Sequence, residues 1–370
     1  MKYYVIAGEA SGDLHGSNLI KEIFKLDQNA IIRAWGGDKM QNAGATIIRH
    51  FKELSFMGFY EVFMNLKTIL NNIEFCKKDI IEFNPDKIIF IDFPGFNLRI
   101  AKWAKKNNFN NYYYIAPQIW AWNEKRIKNI KANIDKLYVI LPFEKEYFEN
   151  KHDYKVNFLG NPLLDSINRF KSLKKIDFYN DNKLDNKLDI ISILPGSRKQ
   201  EIKKILGVML KVIDYFPNYQ FIVAGAPNIE PNFYKKIIKN NDVKVISDKT
   251  YSLLSNSKAA LVTSGTATLE TAIFKIPQVV CYKTSYISYF LAKIFIKIKF
   301  ISLVNLIMNK EIIKELIQTE CSKNNIVKEL KKVLDLSKRK ELAIKYDKLI
   351  SLLGSSGSSK RVAEDIVLKI

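Results

Sequence analysis

Short runs of β-branched and aromatic residues alternate along this chain with longer stretches of helical periodicity. That is the pattern of an α/β protein built on parallel sheets. Residues 2–7 (KYYVIA) read as a strand, followed after Ser11-Gly12-Asp13 by a helix that buries Leu19, Ile20, Ile23 and Phe24. Residues 87–91 (KIIFI) read as a second strand, ending at Asp92 before a Pro94-Gly95 turn and a helix from Asn97. Further strands are predicted at 112–116, 136–141 and 156–162. A polar segment, 166–189, then breaks the rhythm and reads as a linker or surface excursion. The alternation resumes at 189–198, 221–227, 243–247 and 259–265, and a long helical tail follows, interrupted by a Gly/Ser tract at 354–359. The closing KRVAEDIVLKI reads as an amphipathic helix that must dock on something. The pattern predicts two Rossmann-like domains facing a central cleft, 1–165 and 166–349. The helix at about 350–370 is expected to return to the first domain or to reach a partner subunit.

Composition narrows the chemistry. At 370 residues, with 47% hydrophobic and 26% charged residues, the chain can fill two cores. Cys76, Cys281 and Cys321 lie far apart, as do His15, His50 and His152, so neither a disulfide scaffold nor a metal cluster is expected. The apolar run Tyr3–Ala7 is too short for a signal peptide, and no 18-residue apolar run marks a membrane span. These features fit a cytoplasmic setting. The formal charge of +21 comes from lysines spread over the chain, without a nucleic-acid motif. No nucleic-acid partner is expected; an anionic membrane surface or a phosphorylated substrate fits the charge better.

Three glycine turns join strands to helices. In Gly8–Gly16 (GEASGDLHG), backbone amides can face an anionic or sugar ligand, or Ser11 or Asp13 can simply cap the helix. In LPGSRKQE (194–201), Gly196 and Ser197 open a helix, and Arg198 adds a planar fork suited to phosphate oxygens. Ser197-x-x-Gln200 would also satisfy a capping box, but a cap needs no arginine. In VTSGTATLE (262–270), Gly265 permits close approach, and Ser264 and Thr266 add hydroxyls. Glu270 lies one turn into that helix, where a carboxylate can accept from both ribose hydroxyls. Two anion-ready helix starts in one half suggest a nucleoside diphosphate.

Asp92 stands at the carboxyl end of a strand, where open α/β sheets place their ligands. It is a candidate general base, with a helix cap or a lysine partner as the plainer reading. No D-x-D motif occurs, so no metal-bridged diphosphate is expected and no cofactor is implied. Two apolar stretches fit a membrane surface: one carrying Phe56, Met57, Phe59 and Phe63, the other Phe290 with Lys293 and Lys297. Ordinary core helices would show similar stripes. QIWAWNEKRIKNIK (118–131) reads either as interfacial or as a solvated basic helix.

The segments AGEASGD (7–13), ELSFMGFYEV (53–62), IDFPGFN (91–97), PQIWAWNEKRIKNI (117–130), LPFEKEYF (141–148), FLGNPLLD (158–165), LPGSR (194–198), SGTATLE (264–270), SLVNL (302–306) and KELIQ (314–318) occur in this order. Together they resemble the lipid-A-disaccharide synthase family, glycosyltransferases of Gram-negative lipid A synthesis. The resemblance implies a GT-B fold and an inverting, metal-independent transfer. UDP-2,3-diacylglucosamine would donate to 2,3-diacylglucosamine 1-phosphate (lipid X), forming a β-1,6 disaccharide phosphate and UDP. It makes Asp92 the base for the acceptor hydroxyl and places Arg198, Glu270 and Asn305 at UDP. Gly196, Ser197, Ser264, Gly265 and Thr266 would line the diphosphate, and Glu9, Ser11, Gly12 and Asp13 a cleft loop. Two positions depart from the family pattern: Gly95, where many members carry an acid, and Val304, where many carry proline. The expected site of action is the inner face of the cytoplasmic membrane, as a peripheral protein. A UDP-N-acetylglucosamine 2-epimerase-like enzyme and a non-catalytic lipid-binding protein are the alternatives, and monomer and homodimer both remain open.

Overall fold

The apolar runs become strands of two separate parallel sheets. The computed structural model describes residues 1–53, 66–173, 177–238, 243–285, 289 and 298–368. Met1–Ser166 and Leu353–Ile370 form one unit and Ile167–Leu352 the other.

The first unit holds strands β1 (Lys2–Ala7), β2 (Ile31–Gly36), β3 (Thr46–His50), β4 (Lys87–Ile91), β5 (Asn111–Tyr114), β6 (Lys136–Val139) and β7 (Asn157–Phe158). They pair in the order β3-β2-β1-β4-β5-β6-β7, all parallel. Its helices are α1 (Ala10–Leu26), α2 (Asp38–Asn42), α3 (Leu66–Phe83), α4 (Pro94–Lys106), α5 (Ile127–Asn133), α6 (Pro142–Glu146) and α7 (Pro162–Ser172), the last running into the second unit. Helices cover both faces of the sheet, so its central strands β1 and β4 run apolar on both faces after an opening lysine. Alternate residues part between two cores: Tyr4, Ile6, Ile88 and Phe90 point one way, Tyr3, Val5, Ile89 and Ile91 the other.

The second unit holds β8 (Asp189–Leu194), β9 (Tyr219–Gly225), β10 (Lys244–Ser247), β11 (Ser257–Val262), β12 (Gln278–Tyr282) and β13 (Glu315–Ile317), in the order β10-β9-β8-β11-β12-β13. Its helices are α8 (Lys199–Leu210), α9 (Pro231–Ile238), α10 (Thr250–Ser255), α11 (Thr266–Ile273), α12 (Leu303–Met308), α13 (Lys323–Leu334) and α14 (Leu336–Leu352). The chain then returns to the first unit as α15 (Ser358–Val367). There Val362, Ala363 and Ile366 pack with Leu19, Ile20 and Ile23 of α1. Asp165 fixes the start of α15, its carboxylate accepting from the amides of Gly357 (2.5 Å), Ser358 (3.3 Å) and Ser359 (2.8 Å). The Gly/Ser tract is thus a seat for that cap, with Gly354 and Gly357 at φ of 85° and 91°.

Four strands escape the sequence pattern. Charged Arg33 and Arg49 interrupt the runs of β2 and β3. Pro277 precedes β12, and β13 is three residues long. Nor is 166–189 a plain excursion: α7 extends to Ser172, and buried Phe178 joins the second core. The stripe residues Phe56, Met57, Phe59, Phe63, Phe290, Lys293 and Lys297 lie outside the described residues. Among the described residues, no helix is long and apolar enough to cross a membrane.

Candidate active site

In each sheet the strand order reverses once, and the loops leaving the two strands at that reversal form the ligand position of open α/β folds. In the second unit those strands are β8 and β11, with Leu194 beside Val262. The turns 195–198 and 263–266 therefore emerge side by side. Gly196 takes φ of +102°, and a Cβ there would meet Glu201 Oε2 at 2.9 Å. The Ser197-x-x-Gln200 capping box does not form: Arg198 holds the cap position of α8, and no side chain caps it. Helix α11 is likewise uncapped by side chains behind Gly265 at φ of +149°. Both helices thus leave first-turn amides for a ligand, with partial positive charge.

The side chains around these turns differ in how far they are already engaged. Arg198 is 55% exposed and only loosely held, its Nη1 3.5 Å from Glu201 Oε1. Asn228 steadies the turn by donating to the Ser197 carbonyl at 3.2 Å. Ser264 Oγ donates to the Ile301 carbonyl at 2.7 Å, which leaves its lone pairs available. Glu270 is held at one oxygen by Tyr251, whose hydroxyl donates to Oε1 at 3.0 Å. Burial pushes the Glu270 carboxyl up while that bond pulls it down.

Asn305 is engaged within its own turn. Its Oδ1 accepts from the amides of Ile312 (2.7 Å) and Ile313 (3.0 Å), and its Nδ2 donates to the Ile313 carbonyl and Glu315 Oε1, both at 2.9 Å. That uses all four hydrogen-bonding positions of a buried side-chain amide. Glu315 orders the same turn, accepting also from Ile301 N, Ser302 N and Ser302 Oγ at 2.6–2.9 Å. A proline before Asn305 is therefore not needed for order, and Val304 packs fully buried.

In the first unit the reversal falls between β1 and β4, with Ala7 beside Ile91, so Gly8–Asp13 and Asp92–Pro94 adjoin. Asp92 and Phe93 both hold positive φ, 46° and 49°. The Asp92 carbonyl accepts from the Tyr113 hydroxyl at 2.5 Å and from Asn97 Nδ2 at 2.7 Å, which fixes this bend. Phe93 lies over Gly8, where a Cβ would fall 2.3 Å from its ring. Gly95 faces open space, so the family's usual acid would fit there without a clash.

Of the Gly8–Asp13 loop, Glu9 takes the cap position of α1 without a side-chain cap bond, Ser11 is exposed, and Gly12 packs against Ala7. Asp13 lies against the start of α2. It is buried, and its carboxylate accepts from the amides of Gly37 (2.8 Å), Met40 (3.0 Å) and Lys39 (3.1 Å), capping α2.

Sequence reasoning passed over Glu144, the glutamate of LPFEKEYF. It is wholly buried and accepts from Trp120 Nε1 (2.9 Å) and the amides of Ile140 (3.0 Å) and Leu141 (2.9 Å). Burial outweighs those three bonds and, with the nearby Asp92 charge, pushes its carboxyl up to about 7. A glutamate two residues after a proline that starts a helix was the available signal. Among the described residues, no three His, Cys, Asp or Glu side chains converge as metal ligands.

The family model of lipid-A-disaccharide synthetase matches residues 3–369. The chain is 34% identical to the lipid-A-disaccharide synthase of Syntrophus aciditrophicus, over 97% of this chain and 95% of that one. It is 36% identical to lipid-A-disaccharide synthase 1 of Legionella pneumophila, over 86% and 84%. Its fold is similar to that of a UDP-GlcNAc 2-epimerase from Neisseria meningitidis solved with UDP-GlcNAc, with a TM-score of 0.73, 13% identity and full coverage of both chains. A calicheamicin glycosyltransferase matches with a TM-score of 0.61 at 13% identity, over 99% of this chain and 97% of that one. Near-complete coverage at this identity is decisive, and the chain belongs to the lipid-A-disaccharide synthase family.

Proposed function

We propose that this chain transfers 2,3-diacylglucosamine from its UDP donor to the hydroxyl of 2,3-diacylglucosamine 1-phosphate, releasing UDP and inverting the anomeric centre. The observation that carries this reading is the pair of uncapped helix starts, α8 and α11, at the strand reversal of the second sheet. In this reading they take up the diphosphate, with Arg198 adding charge as UDP departs. Glu270, steadied by Tyr251, accepts from the ribose hydroxyls. Asn305 acts through the loop it orders. Asp92 removes the acceptor proton as that oxygen attacks the anomeric carbon and the bond to UDP breaks. Its backbone bend, fixed by Tyr113 and Asn97, holds the carboxylate at the carboxyl edge of β4. No metal is needed, because the leaving-group charge falls on Arg198 and backbone amides. Formal charge of +21 favours peripheral association with an anionic membrane face, where both acylated substrates reside.

Product analysis by mass spectrometry tests this directly, using both substrates in detergent with and without EDTA. The expected result is a tetra-acylated disaccharide phosphate plus UDP, unchanged by EDTA. Loss of product with EDTA would overturn the metal-free account. Epimerised UDP-N-acetylglucosamine in place of disaccharide would move the chain to a different reaction.

A further inference from the structure

The loop 115–126 leaves the carboxyl end of β5, the strand beside β4 and Asp92. It carries a cation with no anion. The Arg126 guanidinium stacks 4.7 Å from the ring centre of Trp122, itself 50% exposed, and makes no hydrogen bond or ion pair among the described residues. Glu124, two residues away, does not serve it. That carboxylate is held by Lys151 at 2.5 Å, His152 Nε2 at 3.1 Å and the Tyr147 hydroxyl at 3.0 Å. Lys125 and Lys128 are exposed around it, so the surface here is positive. Partial burial holds the Arg126 pKa below the usual arginine value, so a partner anion would be welcome.

Arg126 and the candidate base share a neighbour in Tyr113. Tyr113, whose hydroxyl binds the Asp92 carbonyl at 2.5 Å, feels Asp92 and Arg126 with opposite sign. A sugar 1-phosphate acceptor needs a base at its hydroxyl and a cation at its phosphate. We propose that Arg126, presented on Trp122, binds the phosphate monoester of the acceptor and so orients its hydroxyl toward Asp92. A planar guanidinium stacked on an aromatic ring is pre-organised for two parallel N–H···O bonds to phosphate. The inference rests on the glycosyl-transfer reading above and adds to it the group that selects a phosphorylated acceptor. A bilayer phospholipid headgroup offers the same phosphate chemistry, and the experiment separates the two sources.

The test compares acceptor with and without its 1-phosphate, in neutral detergent, for the wild-type chain, Arg126→Ala and Arg126→Lys. Loss of a charge-assisted phosphate contact should raise KM for the phosphorylated acceptor roughly 10- to 100-fold in Arg126→Ala. KM for the unphosphorylated acceptor and UDP affinity should stay within about twofold, and Arg126→Lys should recover part of the loss. Equal loss with both acceptors, or no loss with either, overturns the assignment. Co-sedimentation with vesicles of phosphatidylglycerol and phosphatidylcholine forms the second arm. A variant that leaves the vesicles yet keeps its acceptor KM would give Arg126 to the bilayer and overturn the acceptor role. Absence of disaccharide from the wild-type chain would instead fell the transfer reading itself.

Discussion

Two consecutive residues at positive φ, Asp92 and Phe93, are held by bonds to one carbonyl oxygen and by a ring laid over Gly8. Non-glycine residues in that region carry about 1–2 kcal/mol of strain each, so neighbours must enforce the bend. Asp92→Ala should reduce kcat by roughly 10²- to 10⁴-fold while UDP affinity, read by calorimetry, stays unchanged. Retained turnover would remove Asp92 from the chemistry. Two other single groups contribute opposite responses to pH. Glu144 has its folded pKa raised to about 7, so its contribution is full below about 4.5 and is lost as pH rises toward 7. Buried His15 has its pKa lowered to about 4, so its contribution is full above about 6.5 and is lost as pH falls toward 4. These slopes oppose each other, and wild-type stability should vary little between pH 5 and 6.5 on their account. In Glu144→Gln the histidine slope loses this counterweight. Urea melts should then show that variant losing stability steadily as pH drops through this window, and a flat profile would refute the opposition.

Elements decide whether a glycine is replaceable. Gly207 lies inside α8 with ordinary helical φ and open space where a Cβ would go. Gly207→Ala should therefore stabilise the second unit by about 0.5–1 kcal/mol, visible as a higher urea midpoint. Gly196→Ala should do the reverse, because φ of +102° and the Glu201 carboxylate both oppose a side chain. The sequence makes the central strands and the helix starts after them readable, because β1, β4, β8 and β11 are mostly apolar runs that lead into Gly8, Asp92, Gly196 and Gly265. It also marks the Arg198 turn as a candidate anion site, since a cap would need no arginine there. What it hides are partnerships across long separations. The bonds of Asp13 to Gly37 and Met40, and of Asn305 to Ile312, Ile313 and Glu315, are not written in the local pattern around either residue. Edge strands escape for a related reason, being short and interrupted by charge.

At the scale of the whole molecule, the first unit is discontinuous in sequence. Its α1 face is covered by α15, and three further ties join the segments: Tyr138 to Asp365 at 2.8 Å, Lys136 to Asp365 at 3.3 Å, and Lys87 to the Ile366 carbonyl. Removing residues 353–370 uncovers buried Leu19, Ile20 and Ile23. Several such side chains at about 1.5–3 kcal/mol each rival the stability of an ordinary domain. Calorimetry on that truncation should lose the transition of the first unit and keep that of the second. Two intact transitions would show that α15 is dispensable. The same discontinuity sets an order of events on the ribosome. The 186 residues of 167–352 are made between the two parts of the first unit. At roughly 5–20 residues per second, the nascent amino-terminal sheet waits about 10–40 s with its α1 face bare. The second unit, contiguous in sequence, can finish folding within that interval. Slow synthesis or a scarce chaperone should therefore damage the first unit first, although its sheet is the first to be translated.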